Sequence, residues 1–435
     1  MKRLKFLTVS LVALLVIAGC GSSNSPNQTG GTNGNSSAPA SDVTLNIAVQ
    51  RHSAVDALEV LLKDFEAETG IKAKFDVLPQ NELKSKTELA MAGGTGEYDV
   101  IMFDYVQNSQ YAKAGWILDL TDYIESRNVD TSDFFPGFLE SYQYEGRQYA
   151  IPFFGESLIL MYNKDIFEEA GITAPPATMD ELIETSQKIR DAGHNAIAIR
   201  GARGEGMNVF TWSSFFLAYG AEWFDENGVP SVNSPEAIQA TEVYANLLNE
   251  YGPPGAANFT WDQVQLSMQQ GNVGMVIDSL NFAPRLENPE NSTVVGKVGY
   301  AAIPSGPAAQ VTGLGTWGMA IPADSKNPDK AFEFINWANS AEIQLKTSID
   351  GERADATRQS VWESEEFKAK YTYENWTEVA TESLAKAERD YRPGITQWRQ
   401  LGDRVSIAIS ETLAGEDAKK ALDAAQKDVE DIRAE

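Results

Sequence analysis

Beyond residue 42, the hydrophobic positions follow in turn the two-residue period of strands and the three-to-four-residue period of helices. Residues 43–50 (VTLNIAVQ) alternate apolar and polar side chains, which predicts a strand. The next apolar residues recur at helical spacing until Gly70, a residue typical of helix ends. Residues 71–78 predict a second strand, 82–91 a second helix and 98–103 a third, buried strand.

This order of strands and helices predicts a parallel sheet with right-handed crossovers. In such sheets ligands bind beyond the carboxyl ends of the strands, so Asp104 and Tyr105 are candidate ligand contacts, with plain turn chemistry as the alternative. The same rule brings His52, which follows the first strand, to the site, with a solvated turn histidine as the more typical alternative. Because 435 residues exceed one compact core, we predict an α/β protein of two lobes.

The composition excludes several kinds of function. Acidic residues outnumber basic ones 62 to 35, and a net charge of −27 disfavours binding to nucleic acid. One cysteine and two histidines cannot build a disulfide framework, and they disfavour a zinc site. We therefore expect no metal and no cofactor, and a site made of carboxylates, arginines, hydroxyls and aromatic rings.

The first residues predict a targeting signal. Three basic residues precede an apolar run at 6–18 that is too short to span a bilayer. Residues 17–20 (Ile-Ala-Gly-Cys) resemble the lipobox of bacterial lipoproteins, and an ordinary secretory signal is the alternative. We predict a signal peptide over 1–19, lipidation of Cys20 and a flexible tether over 20–42, which would leave the body on the outer face of the cell membrane.

Several segments of the body resemble one family. Residues 149–182 (YAIPFFGESLILMYNKDIFEEAGITAPPATMDEL) are similar to the signature stretch of the extracellular solute-binding proteins of carbohydrate ABC importers. The similarity continues through 266–275, 298–304, 318–322 and 331–335. Finer motifs resemble the sorbitol/mannitol branch, at 155–157, 200–206, 221–225, 252–256 and Asp278. Residues 205–208 (Glu-Gly-Met-Asn) depart from the Trp-Gly-Glu-Asn usual in that branch.

The resemblance implies a fold like that of periplasmic binding proteins, with a sheet and flanking helices in each lobe and a ligand cleft and hinge between them. It places residues 43–152 and 301–345 in lobe 1 and residues 153–300 and 346–435 in lobe 2. It also implies a monomer, without enzyme activity, that captures a sugar or polyol by hinge closure and delivers it to an ABC permease.

Binding a sugar or polyol requires flat apolar surfaces for its C–H groups and charged partners for its hydroxyls. Candidate ring contacts are Trp212, Trp317, Trp398 and Phe154, and for each tryptophan packing in the core is the alternative. Trp317 lies in a glycine-rich loop, which allows the backbone to approach a ligand closely.

The candidate charged contacts follow apolar runs. Glu156 and Asp278 each end such a run, and capping of a helix is the alternative for Asp278. Arg200 and Arg203 follow the strand-like residues 196–199, and we predict that one reaches the ligand or a carboxylate of the other lobe. Arg358 matches a loop that reaches the cleft in the family, with a surface salt bridge as the alternative.

Three other functions are alternatives to this prediction. A lipid-anchored glycoside hydrolase would use Glu156 and Asp278 as its acid and base. A binding protein for a cationic ligand, such as a polyamine or peptide, would also combine aromatic and acidic groups. An adhesion protein would show sequence repeats, and none is evident.

Overall fold

The computed structural model describes residues 43–351 and 353–434, so the predicted signal peptide, Cys20 and tether lie outside the described residues. The strands of the described residues are β1 (Thr44–Gln50), β2 (Lys72–Leu78), β3 (Val100–Asp104), β4 (Gln143–Tyr144), β5 (Arg147–Gln148), β6 (Ile151–Glu156), β7 (Leu158–Asn163), β8 (Asn195–Ala198), β9 (Val273–Ser279), β10 (Val298–Ala302) and β11 (Gly315–Ala320).

Helices cover much of the remaining described chain. They are α1 (Ser53–Thr69), α2 (Gln80–Gly93), α3 (Asn108–Lys113), α4 (Thr121–Ser126), α5 (Pro136–Glu140), α6 (Lys164–Glu169), α7 (Met179–Asp191), α8 (Asn208–Ala218), α9 (Pro235–Glu250), α10 (Trp261–Gln269), α11 (Ala283–Leu286), α12 (Pro328–Ala338), α13 (Ala341–Asp350), α14 (Gln359–Glu363), α15 (Glu365–Lys370), α16 (Trp376–Ala385), α17 (Trp398–Leu413) and α18 (Ala418–Ala434). Short 3-10 turns occupy Tyr105–Gln107, Ala256–Asn258, Leu280–Phe282 and Arg389–Tyr391.

The first lobe is built on a five-stranded sheet in the order β2-β1-β3-β11-β6. Its first three strands are parallel, as the sequence predicts, and α1 ends at Gly70 in the left-handed conformation with φ 72°. Strand β11 returns from far along the chain and pairs antiparallel with both β3 and β6. Its amino end therefore lies beside the carboxyl ends of β3 and β6, where the sequence predicts ligand contacts.

The second lobe is built on a four-stranded sheet in the order β10-β7-β9-β8. Strands β8 and β9 are parallel, while β7 pairs antiparallel with β9 and β10. Helices α7 and α9 pack on β8, α10 on β9, and α16 on β7 and β10. The described chain thus forms two sheets with flanking helices, which is the predicted α/β architecture.

The chain passes from the first sheet to the second between β6 and β7, with Ser157 as the connecting residue. This buried serine approaches two other segments, because its hydroxyl donates to the carbonyl of Thr312 and lies 2.8 Å from the Ser383 hydroxyl. Strand β6 extends past the predicted boundary at 152, and α13, which spans the predicted boundary at 345, packs on α1. The lobe boundaries at 152, 300 and 345 remain predictions.

Within residues 43–351 and 353–434, no helix is both long enough and apolar enough to cross a membrane.

Candidate ligand-binding site

The carboxyl ends of the two sheets enclose a cavity of about 470 Å³. The first lobe contributes residues that follow or end β1, β3 and β6, together with the start of β11. The second lobe contributes Arg200, the turn that leads into α8, the start of α10 and residues 281–285. This position agrees with the general rule for ligand sites in α/β sheets.

Three rings are stacked along the wall that the first lobe provides. The rings of His52 and Phe154 are almost parallel, with centroids 4.1 Å apart and 4° between their planes. Phe154 in turn stacks on Trp317 at 6.2 Å and 19°. The sheet register explains the second contact, because Trp317 in β11 lies opposite Phe154 in β6 and opposite Asp104 in β3. Rings of this kind provide apolar area for a C–H skeleton.

A buried ion pair joins Arg200 to Asp278 in the second lobe. The Arg200 Nε donates to both carboxylate oxygens at 3.1 and 3.0 Å, and its Nη2 donates to Oδ1 at 2.5 Å. Its Nη1 donates to the carbonyl of Gly206 at 3.0 Å. Arg200 follows β8 and Asp278 lies in the neighbouring strand β9, so the parallel pairing brings them together. Arg200 lines the cavity, whereas Asp278 is fully buried behind it.

Glu156 lines the cavity beside this pair. One of its carboxylate oxygens lies 3.8 Å from the Arg200 Nη2. Burial raises the pKa of the Glu156 carboxyl, and both Arg200 and a hydrogen bond from Ser279 oppose that rise. A Cβ atom at Gly315 would come within 2.8 Å of the Glu156 Cγ, so the glycine at the start of β11 leaves room for this side chain.

A second buried ion pair joins Arg392 to Asp104. The two guanidinium Nη atoms each lie 3.3 Å from one carboxylate oxygen, and Nη1 also donates to the carbonyl of Glu205. Burial raises the pKa of the Asp104 carboxyl, and the charge of Arg392 opposes that rise. Arg392 precedes α17, which packs on α8 and α9 of the second lobe. This pair therefore connects the two lobes at the cavity.

Some buried polar atoms near the cavity have no hydrogen-bond partner among the described residues. They include the Gln50 Oε1 and the Arg392 Nε, and both of these residues line the cavity. Buried polar groups are normally hydrogen-bonded, because leaving one unpaired costs about 1–3 kcal/mol. The cavity lining itself contains carboxylates, which accept hydrogen bonds, and arginines, which donate them, so it suits a ligand that does both.

Of the eleven ligand contacts that the sequence suggests, five line the cavity and a sixth lies directly behind it. The five are Asp104, Phe154, Glu156, Arg200 and Trp317. The sixth is Asp278, whose carboxylate holds Arg200. Tyr105 lies beneath Arg392, whose guanidinium is 5.1 Å from the tyrosine ring, and does not line this cavity.

The structure places Trp212 and Trp398 in the core of the second lobe, contrary to their prediction as cavity residues. Trp212 is fully buried in α8, and its indole N–H donates to the Thr241 hydroxyl at 3.0 Å. Trp398 is buried at the start of α17 and makes an edge contact with Trp223 at 5.1 Å. Both rings pack between helices in the core, so packing in the core, the alternative given for each tryptophan, is what the structure shows.

Arg203 and Arg358 also lie away from the cavity. Arg203 is exposed, and its Nη2 donates to the two carboxylate oxygens of Asp403 at 2.9 and 3.0 Å. Arg358 is buried over the ring of Phe134 and pairs with Asp133 at 3.2 Å. Both arginines make ion pairs, on the surface for Arg203 and in the interior for Arg358.

Sequence reasoning missed several lining residues. Gln50 is the last residue of β1, so the rule that selected Asp104 also applies to it. Trp261 begins α10, and its local pattern does not distinguish it from other tryptophans. Arg392 has no local signal, because its partner Asp104 is 288 residues away in the chain. Among the described residues, no group of three or more His, Cys, Asp or Glu side chains could hold a metal ion.

The chain resembles curated proteins along most of its length. It is 27% identical to the erythritol/L-threitol-binding protein of Mycolicibacterium smegmatis, over 94% of this chain and 91% of that protein. It is also 27% identical to the mannitol-binding protein of Pseudomonas aeruginosa, over 88% of this chain and 92% of that protein.

The fold likewise resembles solved structures. An ABC transporter solute-binding protein from Agrobacterium radiobacter, in complex with ribitol, is 31% identical with a TM-score of 0.83, over 90% of this chain and 99% of that one. A solute-binding protein from Agrobacterium vitis with bound D-mannitol is 29% identical with a TM-score of 0.80, over 90% and 98% of the two chains.

These relatives confirm the predicted resemblance to the polyol branch and the two-lobed fold. All four are binding proteins by name. Residues 51–345 match the family described as bacterial extracellular solute-binding protein, and this match covers more than half of the chain. The chain therefore belongs to the bacterial extracellular solute-binding protein family.

Proposed function

We propose that this protein is the substrate-binding lipoprotein of an ABC importer and that it captures an uncharged polyol or small sugar between its lobes. The observation that carries the proposal is the cavity itself, where stacked rings on one wall face buried arginine–carboxylate groups. Polyols combine an apolar C–H skeleton with hydroxyls that donate and accept hydrogen bonds. The skeleton matches the stacked rings, and the hydroxyls match the arginine–carboxylate groups. The ligands named for the relatives, from erythritol to mannitol, support the same class.

The charges that line the cavity favour a neutral ligand. Four arginines line it, at positions 51, 200, 285 and 392, together with four carboxylates, at positions 56, 104, 156 and 262. A site for a polyamine would need an excess of carboxylates to replace the hydration of the cation. The balance of charge therefore argues against a cationic ligand.

The arrangement of carboxylates argues against a glycoside hydrolase. Such an enzyme needs two carboxyl groups on opposite sides of the scissile bond. Asp278, one of the two candidates, is fully buried and its carboxylate is held by Arg200, so it does not reach a bound sugar. The acid–base pair suggested from the sequence, Glu156 with Asp278, is therefore not available in this arrangement.

The proposed mechanism is hinge closure. Besides the Arg392–Asp104 pair, α2 of the first lobe makes two ion pairs to the second lobe, between Lys84 and Glu205 and between Glu88 and Arg399. A ligand that contacts both walls stabilises the arrangement in which these contacts form. The permease would then distinguish the closed form from the open one.

We also propose that lipid on Cys20 anchors the protein outside the cell membrane. Support comes from the lipobox-like residues 17–20, from the position of the chain's only cysteine and from the extracellular family. Two or more acyl chains give a stable anchor, and a tether of about twenty residues would leave the lobes free to reach a permease.

The function is tested by the thermal unfolding midpoint in the presence of erythritol, ribitol, mannitol, maltose and spermidine. A ligand at 100 times its Kd stabilises the folded state by about 2.7 kcal/mol, so we expect a clear rise with at least one polyol. Glu156→Gln should reduce the rise, whereas Asp403→Asn, which changes an exposed carboxylate outside the cavity, should not. A rise with spermidine alone would replace the proposal with a cationic ligand.

A further inference from the structure

We propose that His52 donates a hydrogen bond to the bound polyol from Nε2 and that the start of helix α1 fixes its proton on that nitrogen. The inference rests on the proposed function and adds a specific contact to it. The sequence leaves His52 open between a site contact and a solvated turn, and in the structure its side chain is 14% exposed and lines the cavity.

The other ring nitrogen is already occupied. His52 is the N-cap residue of α1, and its Nδ1 accepts a hydrogen bond from the backbone N–H of Ala54 at 3.2 Å. If Nδ1 carried the proton, its N–H would point at the N–H of Ala54, and the hydrogen bond from Ala54 could not form. In the neutral ring the proton therefore resides on Nε2, and the backbone of the helix determines the tautomer.

The ring is neutral at ordinary pH. Burial lowers the pKa of His52 to about 4, although the nearby carboxylate of Asp355 opposes that shift. The Asp355 Oδ2 lies 3.6 Å from Nδ1, and the other charged groups that act on the ring are Arg353, Arg285 and Asp56. Both arginines lower the pKa further, while Asp56 raises it.

The orientation of the ring is also fixed. It lies flat on Phe154, and the hydrogen bond at Nδ1 prevents rotation within the plane of the stack. No residue of the described chain forms a hydrogen bond with Nε2. His52 thus presents a donor with one orientation at the cavity wall, and a ligand hydroxyl would accept from it with little loss of side-chain entropy.

Histidine-selective ¹⁵N NMR tests the tautomer and the contact directly, because the chain contains two histidines. His194 provides an internal control, since it lies outside the cavity and its Nε2 is 2.7 Å from Glu169. We expect His52 to be protonated at Nε2 and unprotonated at Nδ1 from pH 8 to pH 5. Saturation with ribitol or mannitol should shift the His52 Nε2 resonance and leave those of His194 unchanged.

Two variants separate the donor from the other roles of His52. His52→Phe retains a flat ring over Phe154 and removes the donor, while His52→Ser retains a capping acceptor and removes both ring and donor. We expect His52→Phe to bind polyol about fivefold to tenfold more weakly, as the loss of one hydrogen bond predicts. His52→Ser should bind more weakly still, because it also removes the apolar area of the ring. Only His52→Phe should also lose the stability that the N-cap provides.

The outcomes distinguish this contact from the function. A wild-type protein that binds polyol while its His52 resonances stay unchanged, or a His52→Phe variant that binds as tightly as wild type, would overturn the contact alone. A proton found on Nδ1 would overturn the fixed tautomer. A wild-type protein that binds none of the polyols would overturn the proposed function and the contact together.

Discussion

The two arginine–carboxylate pairs at the cavity are both buried, but they differ in how fully each guanidinium is satisfied. Arg200 makes three hydrogen bonds of 2.5–3.1 Å to Asp278 and one to the carbonyl of Gly206. Arg392 makes two longer contacts of 3.3 Å to Asp104, and its Nε has no partner among the described residues. Every guanidinium nitrogen of Arg200 thus has a protein partner, whereas the Nε of Arg392 has none among the described residues.

The pairs also differ in what they connect. Arg200 and Asp278 extend from neighbouring strands of one sheet, so their geometry does not depend on closure of the lobes. Arg392 and Asp104 come from opposite sides of the cavity. We therefore expect the first pair to shape the wall of the second lobe and the other pair to couple ligand binding to closure.

The largest expected effect is on stability, and it comes from breaking the pair between Arg200 and Asp278. Asp278→Ala would leave the Arg200 guanidinium buried without its carboxylate, which typically costs about 3–5 kcal/mol. The free energy of unfolding, measured with urea, should fall by that amount. Asp403→Ala is the control, because it breaks the exposed pair with Arg203, and such pairs contribute about 1 kcal/mol or less. Similar losses in the two variants would remove the distinction between the pairs.

The next effect is on affinity, and it comes from the pair between Arg392 and Asp104, in which the arginine Nε has no partner among the described residues. Arg392→Lys retains a positive charge near Asp104 but removes the unpartnered Nε. A hydrogen bond from a charged donor contributes about 1.5–3 kcal/mol, so polyol affinity measured by calorimetry should fall at least about tenfold. Arg203→Lys, the matched change at an exposed arginine, should leave affinity unchanged. Wild-type affinity in Arg392→Lys would show that the unpartnered Nε makes no contact with the ligand.

The smallest effect concerns pH and the carboxylate of the second pair. The pKa of Asp104 in the folded protein is raised above its ordinary value of 3.8, so the folded state holds this proton more tightly than the unfolded chain. The stability from this group is present at low pH and is lost as pH rises through the folded pKa. The free energy of unfolding of wild type, relative to Asp104→Asn, should therefore be larger at pH 4 than at pH 7. The raised pKa would be contradicted if the difference in unfolding free energy between wild type and Asp104→Asn were the same at both pH values or larger at pH 7. Circular dichroism at both pH values checks that the two proteins are folded.

Local pattern predicted much of the first lobe. The alternation in residues 43–50, the helical spacing up to Gly70 and the next strand appear in the structure as β1, α1 and β2. Short-range chemistry suffices there, because period and helix-ending residues act within a few positions. The rule that ligands bind beyond the carboxyl ends of strands also predicted Asp104 as a ligand contact. The apolar run before Glu156 predicted that residue as a contact too, and both line the cavity.

Local pattern could not separate the tryptophans or find Arg392. Trp212 and Trp317 were both candidates for ring contacts, yet one packs on Thr241 in the second lobe and the other lies on a strand beside Phe154. The difference arises from pairing between β6 and β11, which are about 160 residues apart in the chain.

By itself, then, the sequence determined the α/β class, the family, the strand ends and the kinds of group available for binding, because period, charge and motif are properties of the chain. Only the tertiary structure decided which arginine keeps an unpaired guanidinium nitrogen, which rings face the cavity and that His52 caps a helix at the cavity wall. Those outcomes depend on burial and on contacts between distant segments, which exist once the chain has folded.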